Sequence, residues 1–233
     1  MKISIITLFP EVFEPILNSS ILKRAQKKGL VEFKLVNLRD FGEGKHQIVD
    51  DKPYGGGAGM VFRADILTKA LWSIVNRHSL TTNEQRKTIL MSASGHPYKQ
   101  KKAMEFSKLD HLIMVCGHYE GIDQRFINKY VDEEISIGDY VLTGGEIPAM
   151  AIVDSIVRVI PGVLKKPEAI EDESFSTSRL LEYPQYTRPE EFEGEKVPKV
   201  LLSGNHAEIK KFKLQKSLEK TKKIRPDLLT QTD

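Results

Sequence analysis

Apolar runs and amphipathic stretches alternate along most of this 233-residue chain, and that alternation narrows the possible folds more than any single residue does. Short apolar runs at residues 3–8, 31–36, 88–92, 111–116 and 134–137 have the length and composition of strands. Between them, residues 10–28, 64–76, 98–106 and 122–130 carry helical spacing. Pro10 suits a first helical turn and Gly29 suits a helix end. A further helix is predicted over residues 146–158, with Ile147, Met150, Ala151 and Asp154 on one face. Strands separated by helices predict an α/β fold, a mostly parallel sheet covered by helices.

The texture changes at Pro161. Residues 165–194 hold Pro167, Pro184 and Pro189 and show no period. They also hold the acids Glu168, Glu171, Asp172, Glu173, Glu182, Glu190, Glu191 and Glu193, against Arg179 and Arg188. This segment is predicted to be a flexible acidic linker or loop, separating a main domain at 1–164 from a small helical domain at 195–233. Asn205 followed by Glu208 reads as a capped helix start, and the helix should run to about Lys223, with Pro226 beyond. Its lysines (Lys210, Lys211, Lys213, Lys216, Lys220, Lys222, Lys223) face Glu219 alone, a pattern that can track phosphates and that a solvated helix face can also carry. The net charge of +3 says little about partners; its distribution says more.

Hydrophobic residues form 40% of the chain, enough for a substantial core and too many for a disordered chain. No apolar run approaches the ~20 residues that would span a bilayer, and the first residues lack the features of a signal peptide. A single cysteine, Cys116, excludes internal disulfides and reads as a small buried hydrophobe; no Cys or His pair has zinc spacing. The six histidines are scattered, and none is assigned to catalysis or to a metal. A reducing cytosol fits this usage.

Three glycine-rich segments stand out: Pro53-Tyr54-Gly55-Gly56-Gly57-Ala58-Gly59-Met60, Cys116-Gly117-His118-Tyr119-Glu120-Gly121-Ile122-Asp123, and Ile137-Gly138-Asp139-Tyr140-Val141-Leu142-Thr143-Gly144-Gly145-Glu146. The second and third each follow a predicted strand and precede a helix. Ligands of open α/β sheets bind outside the carboxyl ends of strands, so two such loops would wall one pocket with backbone N–H and C=O groups. That suits a nucleoside more than a metal. A P-loop is absent, and Phe62 stands where a dinucleotide fingerprint would need its third glycine.

Those segments, with Leu8-Phe9-Pro10-Glu11, Asp50-Asp51-Lys52-Pro53-Tyr54, Arg158-Val159-Ile160-Pro161-Gly162-Val163-Leu164, Tyr186-Thr187-Arg188-Pro189 and Leu202-Ser203-Gly204-Asn205-His206-Ala207-Glu208, resemble the bacterial tRNA (guanine-N1)-methyltransferase family in order along the chain. The resemblance implies a trefoil-knotted (SPOUT) domain, a cytoplasmic homodimer, and S-adenosylmethionine as methyl donor, with Mg²⁺ as a possible aid. The substrate it implies is tRNA, methylated on N1 of the guanosine at position 37, just 3′ of the anticodon. Matched by motif, Leu90, Met91 and Ser92 should flank the adenosine. Gly117, Tyr119, Glu120 and Gly121 should line one side of it. Ser136, Ile137, Gly138, Tyr140 and Leu142 should close the other, together with Gly144, Gly145 and Pro148.

Guanine N1 carries a proton that a base must remove, and negative charge then builds on O6. The resemblance puts Arg158 at that oxygen. The same residue would serve as a cation at a helix C-terminus. The family's base is an aspartate immediately before Ser-Phe; here Glu173 precedes Ser174 and Phe175, with Asp172 one step earlier. Glu173 is the favoured base and Asp172 the alternative. A ribose 2′-O-methyltransferase of the same superfamily and a non-catalytic RNA-binding module are the rival readings.

Overall fold

The computed structural model describes residues 1–75, 85–165, 173–175 and 180–230. The chain divides into two compact units, Met1–Lys165 and Lys166–Asp233.

In the first unit the strands are β1 (Lys2–Thr7), β2 (Glu32–Asn37), β3 (Asp50–Asp51), β4 (Val61–Phe62), β5 (Arg86–Pro97), β6 (His111–Cys116) and β7 (Glu133–Ser136). The helices are α1 (Glu14–Leu17), α2 (Ser20–Lys27), α3 (Ala64–Trp72), α4 (Gln100–Phe106), α5 (Gln124–Tyr130) and α6 (Glu146–Val157). Five strands form one sheet in the order β2-β1-β6-β5-β7, every pair parallel, while β3 and β4 pair antiparallel apart from it. The α/β reading with a mostly parallel sheet is therefore borne out. Alternation along the strands explains the layers. On β6, Leu112, Met114 and Cys116 join Ile3, Ile5, Ile89 and Ile135 under α1, α2, α4 and α6. Ile113 and Val115 point the other way, with Ile6 and Leu90, under α3 and α5. Buried on both faces, β6 is apolar nearly throughout, as a central parallel strand must be.

Several boundaries differ from the sequence reading, and the main ones have clear reasons. Residues 10–28 do not make one helix: a 3-10 turn at Pro10–Val12, then α1 and α2, replace it. The Asn18 amide donates to the Glu14 carbonyl and the Ser19 hydroxyl to the Ile16 carbonyl, and Ser19 is extended, so local side-chain bonds win over helix propagation. The run at 88–92 belongs to a strand that continues to Pro97, with an irregularity between Met91 and His96 that lets both pair with Ile135. Tyr98 N–H then donates to the Ser136 carbonyl, which delays α4 to Gln100. The helix expected at 64–76 ends at Trp72, where Ser73 caps it by donating its N–H to the Lys69 and Ala70 carbonyls; Asn76 lies outside the described residues. On α6 the face of Ile147, Ala151 and Asp154 is exposed, and the buried face is Pro148, Ala149, Ile152, Val153, Ile156 and Val157.

The second unit contains a short hairpin, β8 (Glu191–Phe192) with β9 (Glu195–Lys196), then α7 (Lys199–Leu202), α8 (His206–Ile224) and α9 (Asp227–Thr230). The Asn205 side chain caps α8 by accepting from Glu208 N–H at 3.4 Å. Only Ser217 and Thr221 of α8 are buried. The Thr221 hydroxyl accepts from Leu181 N–H at 2.9 Å, and Lys213 Nζ donates to the Tyr183 hydroxyl at 2.7 Å.

Candidate active site

The carboxyl ends of β5, β6 and β7 open into a cleft of about 420 Å³. Its walls are the loops that the glycine-rich segments form. Leu90, Met91 and Ser92 come from β5; Gly117, Tyr119, Glu120 and Gly121 follow β6; Ser136, Ile137, Gly138, Tyr140, Leu142, Gly144, Gly145 and Pro148 follow β7 and open α6. All these sequence-selected residues line the one cleft. It lies where the chain passes from β6 to β7 across β5, the kind of crossing at which open sheets bind ligands.

The two main loops are stitched together by backbone. Gly145 N–H donates to the Gly117 carbonyl at 2.8 Å, and His118 pairs antiparallel with Gly144. A Cβ on Gly145 would stand 2.7 Å from Cys116 Cα and 2.9 Å from Gly117 N, so only glycine permits this approach. The Ser136 hydroxyl folds the other end of the loop by donating to the Gly138 carbonyl at 3.0 Å. The first glycine segment braces the same region: Glu120 N–H donates to the Met60 carbonyl, and Phe62 N–H to the Gly121 carbonyl. Tyr119, Tyr140, Val141 and Leu142 stand exposed around the cleft, an apolar rim for a flat ligand. Behind the cleft Cys116 is buried; burial and then the Glu146 charge push its thiol well above the usual range, so it stays neutral.

The sequence reading missed other lining residues. Ala93 and Ser94 enter through the irregular part of β5, where Gly95 lies against the backbone of Glu134 and Ile135. Gln124, Ile127 and Glu134 enter from flanking elements, whereas His118, Ile122, Val141 and Thr143 sat inside the recognised motifs.

The expected catalytic groups lie elsewhere in the chain. Arg158 is the C-cap of α6, where its N–H donates to the Asp154 carbonyl at 3.2 Å and its charge suits the helix end. Glu173 belongs to the second unit and is half-buried beside Ser174, whose hydroxyl accepts from Glu182 N–H at 2.8 Å. Asp172 lies outside the described residues. Among the described residues no group of three His, Cys, Asp or Glu side chains could hold a metal ion, and no helix is long and apolar enough to cross a membrane.

An open parallel sheet with helices on both faces and glycine loops walling a cleft at its strand ends defines an α/β protein with a cleft where such sheets take their ligands. Comparison of sequences narrows this. The model of the family described as tRNA (Guanine-1)-methyltransferase TrmD matches residues 1–231, and the chain belongs to that family. A tRNA (guanine-N(1)-)-methyltransferase of Dictyoglomus turgidum is 53% identical over 232 residues, covering 100% of this chain and 91% of the relative. That of Brevibacillus brevis is 53% identical over 98% of this chain and 91% of its own length. The Staphylococcus aureus relative is 51% identical over the same shares. The family resemblance read from the motifs is borne out across the whole chain.

Proposed function

We propose that this protein methylates N1 of the guanosine just 3′ of the anticodon of tRNA, with S-adenosylmethionine as methyl donor. The observation that carries the reading is the cleft, whose walls come from the segments through which the chain resembles its family. Small and apolar side chains with exposed backbone fit an adenosine better than a highly charged ligand. When bound, S-adenosylmethionine supplies a methyl group already activated as a sulfonium. The protein's part is then positioning and proton transfer. Gly117, Gly144 and Gly145 let the backbone approach the adenosine, and Leu90, Ile137, Leu142 and Pro148 flank its faces. Glu173 takes the N1 proton, with Asp172 as the alternative base, and Arg158 stabilises the charge that develops on O6.

In this reading the first unit carries the trefoil knot and works as a cytoplasmic homodimer, with Glu173 of the partner subunit serving each cleft. Residues 165–194 act as the catalytic loop, and the basic α8 tracks tRNA phosphates within a tRNA-binding domain at 195–233. The described residues offer no side-chain group fitted to hold the Mg²⁺ that the resemblance brings with it, and the reaction proposed here draws on the chain's own residues and S-adenosylmethionine.

The deciding experiment supplies a tRNA transcript and labelled S-adenosylmethionine, then maps the methylated atom. Label should appear on guanine N1 and vanish when that guanosine is replaced by adenosine. Undiminished transfer to the adenosine transcript refutes the proposal, and label on a ribose oxygen moves the protein to the 2′-O-methylating relatives.

A further inference from the structure

Thr7 and Glu146 form a buried polar pair that the proposed chemistry does not use. Glu146 opens α6 and is 7% exposed; Thr7 ends β1 and is 1% exposed. The Thr7 hydroxyl donates to Glu146 Oε1 at 2.8 Å and accepts from Phe9 N–H at 3.0 Å. The Phe9 ring packs on His118 with centroids 5.4 Å apart. The second Glu146 oxygen fills the space beside Gly144: a Cβ there would collide with it and stand 2.8 Å from His118 Cδ2. The carboxylate is thus wedged where the end of β1 meets the two stitched loops.

Burying such a group is costly. Its place in the first turn of a twelve-residue helix and the Thr7 hydrogen bond offset part of that cost. An apolar side chain of similar volume would fill the space without it. What the carboxylate adds is direction, because it ties three separate chain segments in one register.

We infer that Glu146 is a positioning residue for cofactor binding: held by Thr7, it keeps the Gly144–Gly145 wall of the cleft in register with the Gly117–His118 wall. It lies outside the cleft lining and acts through the backbone of those loops. The inference rests on the cleft being the S-adenosylmethionine site.

Full-length variants Thr7→Val, Thr7→Ser, Glu146→Gln, Glu146→Ala and the double variant Thr7→Val/Glu146→Ala test it. Each is titrated with S-adenosylmethionine by calorimetry, assayed on a tRNA transcript and melted. Thr7→Val and Glu146→Ala should each raise the cofactor Kd and KM by about 10- to 100-fold, the worth of a hydrogen bond to a charged group. Turnover at saturating cofactor should fall by less than about threefold, and KM for tRNA should hold, as expected when ground state and transition state lose binding alike. Thr7→Ser, which keeps the hydroxyl, should recover most of the affinity. The double variant should be no weaker than the worse single one, because both act through one link.

Wild-type protein that fails to bind S-adenosylmethionine refutes the reading of the cleft itself. If the wild type binds, three results overturn the positioning role: an unchanged Kd in Thr7→Val with only a lower melting temperature, equal losses in Thr7→Val and Thr7→Ser, or additive losses in the double variant. Should either truncation fail to fold, Glu146→Gln decides. Its amide keeps an oxygen for Thr7 but makes that acceptor neutral and sets N–H groups where the second carboxylate oxygen lies beside Gly144, so Kd should rise by about 3- to 10-fold. A Kd unchanged in that variant overturns the role.

Discussion

Gly145→Ala is the sharpest perturbation of the cleft, because the backbone there suits alanine and only packing forbids it. Gly145 has φ −80° and ψ −4°, an ordinary helical conformation, so no conformational strain accompanies the change. The new methyl carbon would stand 2.7 Å from Cys116 Cα, 2.9 Å from Gly117 N and 3.0 Å from Met91 Cβ. Comfortable contact begins at about 3.5 Å, so the first turn of α6 must withdraw by roughly half an ångström or more. Two of those neighbours are backbone atoms at the end of a fully buried strand and cannot swing aside. Overpacking of this kind costs about 1–3 kcal/mol. Where the loop yields, the cost falls on binding, up to about 100-fold in the Kd for S-adenosylmethionine. Where it holds, the melting temperature falls by about 2–4 °C for each kcal/mol. Calorimetric titration and thermal melting of the same preparation measure both shares. Gly117→Ala is the comparison: its nearest contact would be Met91 O at 3.7 Å, so it should melt within about 2 °C of the wild type. A Gly145→Ala protein with unchanged affinity and unchanged melting temperature refutes the steric account, as would equal destabilisation by Gly117→Ala.

Glu173→Gln should leave cofactor affinity nearly unchanged and lower turnover by roughly 10²–10⁴, the worth of a general base, while Asp172→Asn loses much less; the reverse pattern in steady-state assays moves the base to Asp172. Mixed dimers of Gly145→Trp and Glu173→Gln chains should regain about half the normal activity if each site draws on both subunits, and none if each site lies within one chain. His111 is buried, with Ser4 Oγ 2.9 Å from its Nε2; burial first, then the charges of Lys2, Arg86 and Lys34, lowers its pKa from 6.5 to about 4. The folded state therefore holds it neutral while the unfolded state takes up a proton below pH 6.5. Stability should fall as pH drops from 6.5 toward 4, by up to about 3 kcal/mol, and urea melts of His111→Gln should show a shallower pH dependence. Tyr98→Phe removes the 2.7 Å bond between the Tyr98 hydroxyl and Ser155 Oγ and should cost about 1 kcal/mol in denaturant unfolding without altering cofactor affinity.

Much of this molecule is written in its residue order. The run at His111–Cys116 is apolar at nearly every position, so it had to be a strand buried on both faces, and its bounds follow the sequence residue for residue. The glycine segments after β6 and β7 could be read as ligand loops because a strand, a turn and a helix follow one another locally. Less was legible where the outcome depends on partners far along the chain. Ser94 lines the cleft because Met91 and His96 share one partner on β7, a register that no local pattern encodes. The helix expected at 10–28 breaks at Asn18 and Ser19, whose side chains compete for backbone groups in ways that periodicity does not register. Glu146 read as the first residue of a helix. Its burial against Thr7, far away in sequence, exists only once β1 and α6 are packed together.

By itself, then, the sequence determined the five strands of the main sheet, most of the helices, the family and the loops that wall the cleft, since each rests on patterns confined to a few neighbouring residues or on motifs kept in order; the short pairs β3–β4 and β8–β9 carried no such pattern. Only the tertiary structure decided the strand order β2-β1-β6-β5-β7, the crossing that opens the cleft, and the wedge of Glu146 beneath it. The physical reason is range: propensity and capping act over about one helical turn, whereas strand order and burial are set by contacts between segments that the chain brings together only on folding.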